Sequence, residues 1–186
     1  MPQTKSLFKK HITIVGYIFA TLLLIEIINI FTGRLLNQFG IVPRAFTSLP
    51  YIFTAPLLHA SVQHFLSNIV TLCVFTFLLL QFGERKFLIL SLGLVIGAGL
   101  LVWLFGRNAY HIGASGVIYG YFGFLLLAGF LSKKLGLMLI SVLVAFFYGT
   151  MVWGVLPSQP YISWESHLFG FIAGLFLAWL LTKKRL

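Results

Sequence analysis

Six long apolar runs, separated by short polar stretches, constrain this chain more than anything else in it. A helix needs roughly 18 to 20 predominantly apolar residues to cross a hydrocarbon core about 30 Å thick. The runs approach or exceed that length, with approximate ends Ile12–Thr32, Leu58–Phe82, Phe87–Phe105, Ile112–Leu131, Leu135–Val155 and Ser166–Thr182. With 60% hydrophobic and 9% charged residues, too little polar surface is left for a water-soluble fold. The chain is therefore read as an all-α membrane protein with six transmembrane helices. It forms one domain over residues 1–186, with short polar tails at 1–11 and 183–186. The first run has a basic lead-in but is too long for a signal peptide and has no small-x-small cleavage site, so it is expected to stay as a helix.

A formal net charge of +10 raises nucleic acid as a partner in a soluble protein, but here the cations sit in short clusters between apolar runs. They read as topology signals. Lys5, Lys9, Lys10, Arg85, Lys86, Lys133, Lys134, Lys183, Lys184 and Arg185 fall on one side of the membrane, and Arg34, Arg44 and Arg107 on the other. The positive-inside rule then places both termini in the cytoplasm, and the second, fourth and sixth spans run from outside to inside. The segment from Gly33 to Leu57, broken by Pro43, Pro50 and Pro56, is external, with its aromatics at the interface or against the bundle. Cys73 has no second cysteine to pair with and reads as packing.

Polar residues inside a bilayer are costly, so each is a functional candidate. The second span carries His64 and Asn68, four residues apart and so on one helix face. The fourth opens with GASG, which places Ser115 between Gly113 and Gly116; the sixth opens with WESH, which places His167 ahead of Gly170 and Gly174. All three motifs start helices that run inward. At 1.5 Å per residue, Ser115 stands roughly 27 Å above Lys133, His167 roughly 24 Å above Lys183 and Asn68 roughly 24 Å above Glu84. The three thus share a level a few ångströms below the external surface.

Helices that carry small residues four apart pack closely, as Gly116 with Gly120 and Gly170 with Gly174 allow. Ser115 and His167 sit at the outer ends of these faces, where hydroxyl and imidazole can meet as nucleophile and base. Attack on a peptide carbonyl puts negative charge on its oxygen, for which the Asn68 amide, the His64 ring and the Ser115 backbone N–H are candidate donors. Tyr119, one turn after Ser115, is placed to stack on His167. The chain has no aspartate; Glu84 lies too far along its helix and Glu165 faces away from His167, while Glu26 stays open and reads first as a partner of neighbouring polar groups or a protonated acid, so a Ser115–His167 dyad is expected.

These motifs, HxxxN (His64, Asn68), GxSGxxxY (Gly113, Ser115, Gly116, Tyr119) and HxxGxxxG (His167, Gly170, Gly174), occur in the order of the rhomboid family, which the chain resembles over nearly its whole length. The segments GIVPRAF and TAPLLHAS also resemble that family's external loop. The resemblance implies a six-helix rhomboid-like bundle with a water-filled cavity open to the outside. It also implies an intramembrane serine endopeptidase that cuts transmembrane-helix substrates near the external face, with Ser115 and His167 catalytic and His64, Asn68, Gly113 and Tyr119 in support. No extra span or soluble appendage is visible, so the minimal bacterial form, in the cytoplasmic membrane, is expected. Transmembrane proteins and the lipid bilayer are the partners; neither nucleic acid nor a cofactor is expected.

Blander readings exist for each feature. A serine between glycines in a membrane helix is usually a packing position, His64 with Asn68 can be an interhelical polar pair, and His167 can be a buried structural histidine. Their coincidence at one level favours the site. His59 reads equally as a hydrogen-bonder supporting the external loop or as a residue backing the cavity wall, His11 and His111 as interfacial, and the run Phe146, Phe147, Tyr148 as lipid contact before lateral gate. A zinc hydrolase lacks its HExxH pair, and a transporter its broken helices and midplane charges. The remaining alternative is a noncatalytic rhomboid-like protein that binds transmembrane helices.

Overall fold

A computed structural model of the chain describes residues 2–157 and 161–183; Lys184 and Arg185 of the last basic cluster lie outside the described residues. Six α-helices occur where the apolar runs predict them: α1 Pro2–Phe31, α2 Val62–Leu80, α3 Glu84–Phe105, α4 Ser115–Ser132, α5 Leu135–Tyr148 and α6 Trp164–Lys183. All six are long and apolar enough to cross a bilayer, α5 together with the 3₁₀ stretch Gly149–Val155 that continues it. The chain is a multi-pass integral membrane protein. The only extended pairing among the described residues is one bridge between Ile41 and His111. Helix α1 begins well before its apolar run because the residues there include good helix formers such as Lys5, Leu7 and Lys9.

Helix α4 is the centre of the bundle. Buried residues make up 56% of its span, against 11% to 39% in the other five, and Phe122, Phe124, Leu125 and Ala128 are closed off completely or nearly so. Its closest neighbour is α6. A Cβ added at Gly170 would strike the carbonyl oxygen of Gly116, and one at Gly174 the carbonyl oxygen of Gly120. The two backbones therefore touch along the faces that the small-residue spacing predicts, and this contact fixes how far apart the N-terminal ends of α4 and α6 can stand.

The segment between α1 and α2 packs on α3 instead of crossing. Helix α1 ends in a Schellman turn, with Gly33 left-handed (φ +64°) and the Arg34 N–H bonded back to the Asn29 carbonyl at 2.7 Å. Three short 3₁₀ helices follow, Leu35–Phe39, Phe46–Ile52 and Ala55–Leu57. Ile52 and Ala55 bury against Val102, the Trp103 indole N–H donates to the Ala45 carbonyl at 2.9 Å, and Arg44 donates to the Gly106 carbonyl at 2.8 Å. At the opposite end of the bundle an exposed Lys10–Glu84 pair, at 2.7 Å, ties α1 to the start of α3.

Candidate active site

A cavity of about 1250 Å³ lies at the end of the bundle where α2, α4 and α6 begin. Ser115, His167, His64, Asn68 and Tyr119 all line it. Ser115 is the first residue of α4, so its N–H is one of the four that a helix start leaves without an intrahelical acceptor. Gly113, just before it, has φ +121°, which a residue with a Cβ rarely adopts, and a Cβ there would also sit 2.7 Å from the His64 ring. Its N–H donates to the Ala55 carbonyl at 2.9 Å, which anchors the start of α4 to the loop before α2.

His167 Nε2 lies 2.9 Å from Ser115 Oγ, and His167 Nδ1 lies 2.9 Å from the Gly154 carbonyl oxygen. A carbonyl oxygen can only accept, so Nδ1 carries the proton of the neutral ring and Nε2 presents its lone pair to the serine hydroxyl. The ring lies flat on Tyr119, with centroids 4.1 Å apart and planes 7° from parallel. One face is thus held by an aromatic ring and one edge by a backbone oxygen. A Cβ at Gly154 would collide with the Tyr119 hydroxyl, so glycine at 154 lets the 3₁₀ stretch approach both residues.

His64 also has a tautomer set by its neighbours. The Ala60 backbone N–H, which can only donate, reaches His64 Nδ1 at 3.4 Å, which leaves the proton on Nε2, the nitrogen next to Gly113. Ser61 caps α2 by accepting from the His64 N–H at 3.1 Å, which fixes the backbone of His64. Asn68 is buried, and its Nδ2 donates to the His64 carbonyl at 2.7 Å; this uses one amide hydrogen and leaves the second unassigned. Ser115, His64 and Asn68, each with an N–H group to offer, therefore line the same cavity as the hydroxyl.

The three glutamates have cationic partners elsewhere. Glu26 accepts from Arg34 at 2.7 Å, Glu84 from Lys10 at 2.7 Å, and Glu165 lies 3.5 Å from the Arg107 Nε. Among the described residues no three His, Cys, Asp or Glu side chains form a group able to hold a metal. His11 and His111, expected at the interface, are buried within the protein: His11 meets Gln81 Nε2 at 3.2 Å, and His111 is bridged to Ile41 with its Nε2 donating to the Arg107 carbonyl at 3.0 Å. Each ring finds one polar partner, for His11 a side chain of the α2 end and for His111 a carbonyl of its own loop, which offsets part of the cost of burying an imidazole. Of the aromatic run on α5, Phe146 and Phe147 face outward, whereas Tyr148 turns in to pack on Phe75 and line the cavity.

The sequence reasoning missed two contributors. Gly154 acts through a backbone oxygen, which leaves no side-chain signature; only a glycine thirteen residues before His167 hinted at a close approach. Arg34, which the charge pattern marks only as a topology signal, lines the cavity.

Comparison with known proteins places this geometry in context. The family model of the Rhomboid domain matches residues 47–184. An uncharacterized protein of Mycobacterium tuberculosis is 36% identical over 172 residues, spanning 88% of this chain and 72% of that one. A relative in Mycobacterium leprae, also uncharacterized, is 35% identical over 172 residues, spanning 88% and 68%. A Bacillus subtilis protein named as a candidate rhomboid protease is 28% identical over 137 residues, spanning 72% and 68%.

Proposed function

The chain belongs to the rhomboid family, and on that premise we propose that it is an intramembrane serine endopeptidase working through a Ser115–His167 dyad. The observation that carries this reading is the 2.9 Å contact between Ser115 Oγ and a His167 Nε2 whose proton is held on the other nitrogen by Gly154. His167 accepts the hydroxyl proton as Ser115 Oγ attacks the scissile carbonyl carbon. The carbonyl oxygen becomes an oxyanion facing the N–H groups of Ser115, His64 and Asn68. Protonated His167 then gives its proton to the leaving amine. An acyl-enzyme remains on Ser115, and water activated by the same imidazole hydrolyses it.

The substrate is a transmembrane helix that unwinds near its end and enters the cavity from the side. The cavity end of the bundle faces outward and both termini lie in the cytoplasm, as the basic clusters favour, and the membrane is the bacterial cytoplasmic one. The test is to incubate purified protein in micelles or vesicles with a model transmembrane substrate, beside the Ser115→Ala variant. A cut fragment with the wild type alone is the expected result. Uncut substrate with both, in folded protein that also resists a serine-reactive fluorophosphonate, points instead to a noncatalytic helix binder.

A further inference from the structure

The peptide group between His59 and Ala60 has more polar partners than any turn requires. Its carbonyl oxygen accepts from Arg34 Nη1 at 2.9 Å, Asn37 Nδ2 at 3.3 Å and Asn29 Nδ2 at 3.4 Å. Its N–H is the group that reaches His64 Nδ1 at 3.4 Å. One planar amide thus joins a guanidinium on one side to an imidazole on the other. The guanidinium is fixed in turn: Glu26, buried in α1, accepts from the same Nη1 at 2.7 Å, and the left-handed backbone of Gly33 and Arg34 folds the side chain back over α1 toward it. Arg34 and His64 are both cavity residues that make no direct bond to each other.

We propose that Arg34 is a positioning residue for the oxyanion site: through the His59–Ala60 peptide it holds His64 in the tautomer that carries its proton on Nε2. Drawing electron density toward the carbonyl oxygen makes the N–H of the same amide a stronger donor, since linked hydrogen bonds polarise one another. A stronger donor at Nδ1 keeps that nitrogen bare and the other protonated. Nε2 is the nitrogen beside Gly113, and a Cβ built there would lie 2.8 Å from it and 3.7 Å from Ser115 Oγ, so its N–H is the one available to an oxyanion; the opposite tautomer would present a lone pair there and repel the developing charge. Glu26 fixes the guanidinium, and Asn37 and Asn29 hold the carbonyl in place. The inference rests on the oxyanion role given to His64 above, but its direct readout does not depend on turnover.

The test uses the full chain in micelles with ¹⁵N-labelled histidine, His64 being assigned by its loss in His64→Gln. Wild type is expected to show a bare Nδ1 and a protonated Nε2 at His64. Arg34→Gln keeps an amide donor without the charge; it is expected to mix the two tautomers and to lower kcat about 10- to 100-fold with KM little changed, less than the about 10²- to 10³-fold that follows outright loss of an oxyanion donor. Arg34→Lys, which restores the charge, is expected to recover much of both. Asn37→Ala, a milder loss at the same carbonyl, gives a smaller shift in the same direction and covers the case in which Arg34→Gln does not fold. A His64 protonated at Nδ1 in wild type overturns the proposal, as does an unchanged tautomer in every variant that folds, whatever happens to kcat. Failure of the protease reading is a separate result, namely a wild type that does not cut or a Ser115→Ala variant that does.

Discussion

The two nitrogens of His167 face different partners, and that difference decides what the ring can do. With Nδ1 bonded to a backbone oxygen, the neutral imidazole has one free lone pair, on Nε2, and Ser115 Oγ is its neighbour. Replacing Ser115 or His167 by alanine is expected to abolish cleavage and leave the unfolding midpoint nearly unchanged, since neither side chain belongs to the packed core. Cleavage of a model substrate and a melting curve on the same sample check both halves. In the proposed mechanism Asn68→Ala removes one oxyanion donor among several and should cost roughly 10- to 1,000-fold in turnover; an unchanged rate takes Asn68 out of the site. The meeting of Ser115 with His167 could be read from spacing because both motifs pair a polar group with glycines that let the helices approach. Gly154 could not be read that way, since what it contributes is a carbonyl.

His59 gives the residue scale its pH dependence. Its ring is buried against His64 and Phe65, neither ring nitrogen has a partner among the described residues, and burial, helped by the nearby His64 and Arg34, pushes its pKa from 6.5 down to about 3. The folded protein keeps the ring neutral while the unfolded chain protonates it below about 6.5, so the unfolded state binds the extra proton. This contribution to stability is complete above that pH and declines as the pH falls from about 6.5 toward 3. Thermal unfolding in micelles from pH 7.5 to 4 is expected to show a falling midpoint. His59→Phe, which keeps a ring and cannot titrate, should make the slope shallower; equal slopes in the two proteins would remove His59 as a contributor.

Among the helices, the contact of α4 with α6 sets the distance between His167 and Ser115 on which the proposed chemistry depends. Gly170→Ala and Gly174→Ala would each push a methyl group into a backbone carbonyl of α4, which cannot turn aside as a side chain can. Overpacking of this kind costs about 1 to 3 kcal/mol, and moving α6 outward also lengthens the His167–Ser115 contact, so activity should fall further than stability. Gly16, on the exposed face of α1 with nothing within 4 Å of an added Cβ, is the control. Gly16→Ala should be neutral or stabilising by up to about 1 kcal/mol, because alanine is the better helix former. Melting curves and turnover on the three variants separate the cases. The spacing of the glycines made this pair of faces legible before any coordinates, as hydropathy did the six spans. The helix starts were less so: α2 begins at Val62, later than the apolar run, because the Ser61 hydroxyl caps it, and α6 begins at Trp164, ahead of its run.

Across the whole molecule the acidic residues are scarce, and each has a cation. In a chain with 13 Lys and Arg and 3 Glu, the carboxylates sit at three separate ties: Glu84 with Lys10 between α1 and α3, Glu26 with Arg34 at the end of α1, and Glu165 with Arg107 between the loop before α4 and the start of α6. Two of these ties join segments that flank the cavity, so the acids serve to hold its walls, and none is a hydrogen-bond partner of His167. Glu165 comes closest in sequence, two positions before the base, but its carboxylate accepts from the Arg107 backbone N–H at 3.4 Å and belongs to the loop on that side. In a Ser-His-Asp triad the acid holds the tautomer of the base, and its amide replacement lowers turnover about 10⁴-fold. Here the Gly154 carbonyl occupies the position of that acid on Nδ1 and holds the same tautomer without a charge. Glu165→Gln keeps an acceptor for Arg107 and should therefore retain turnover within about 10-fold of wild type, with any loss appearing first in the melting temperature. Cleavage under saturating substrate is the measurement. A folded Glu165→Gln protein that loses about 10⁴-fold would mean that the carboxylate, and not the backbone oxygen, orients the base.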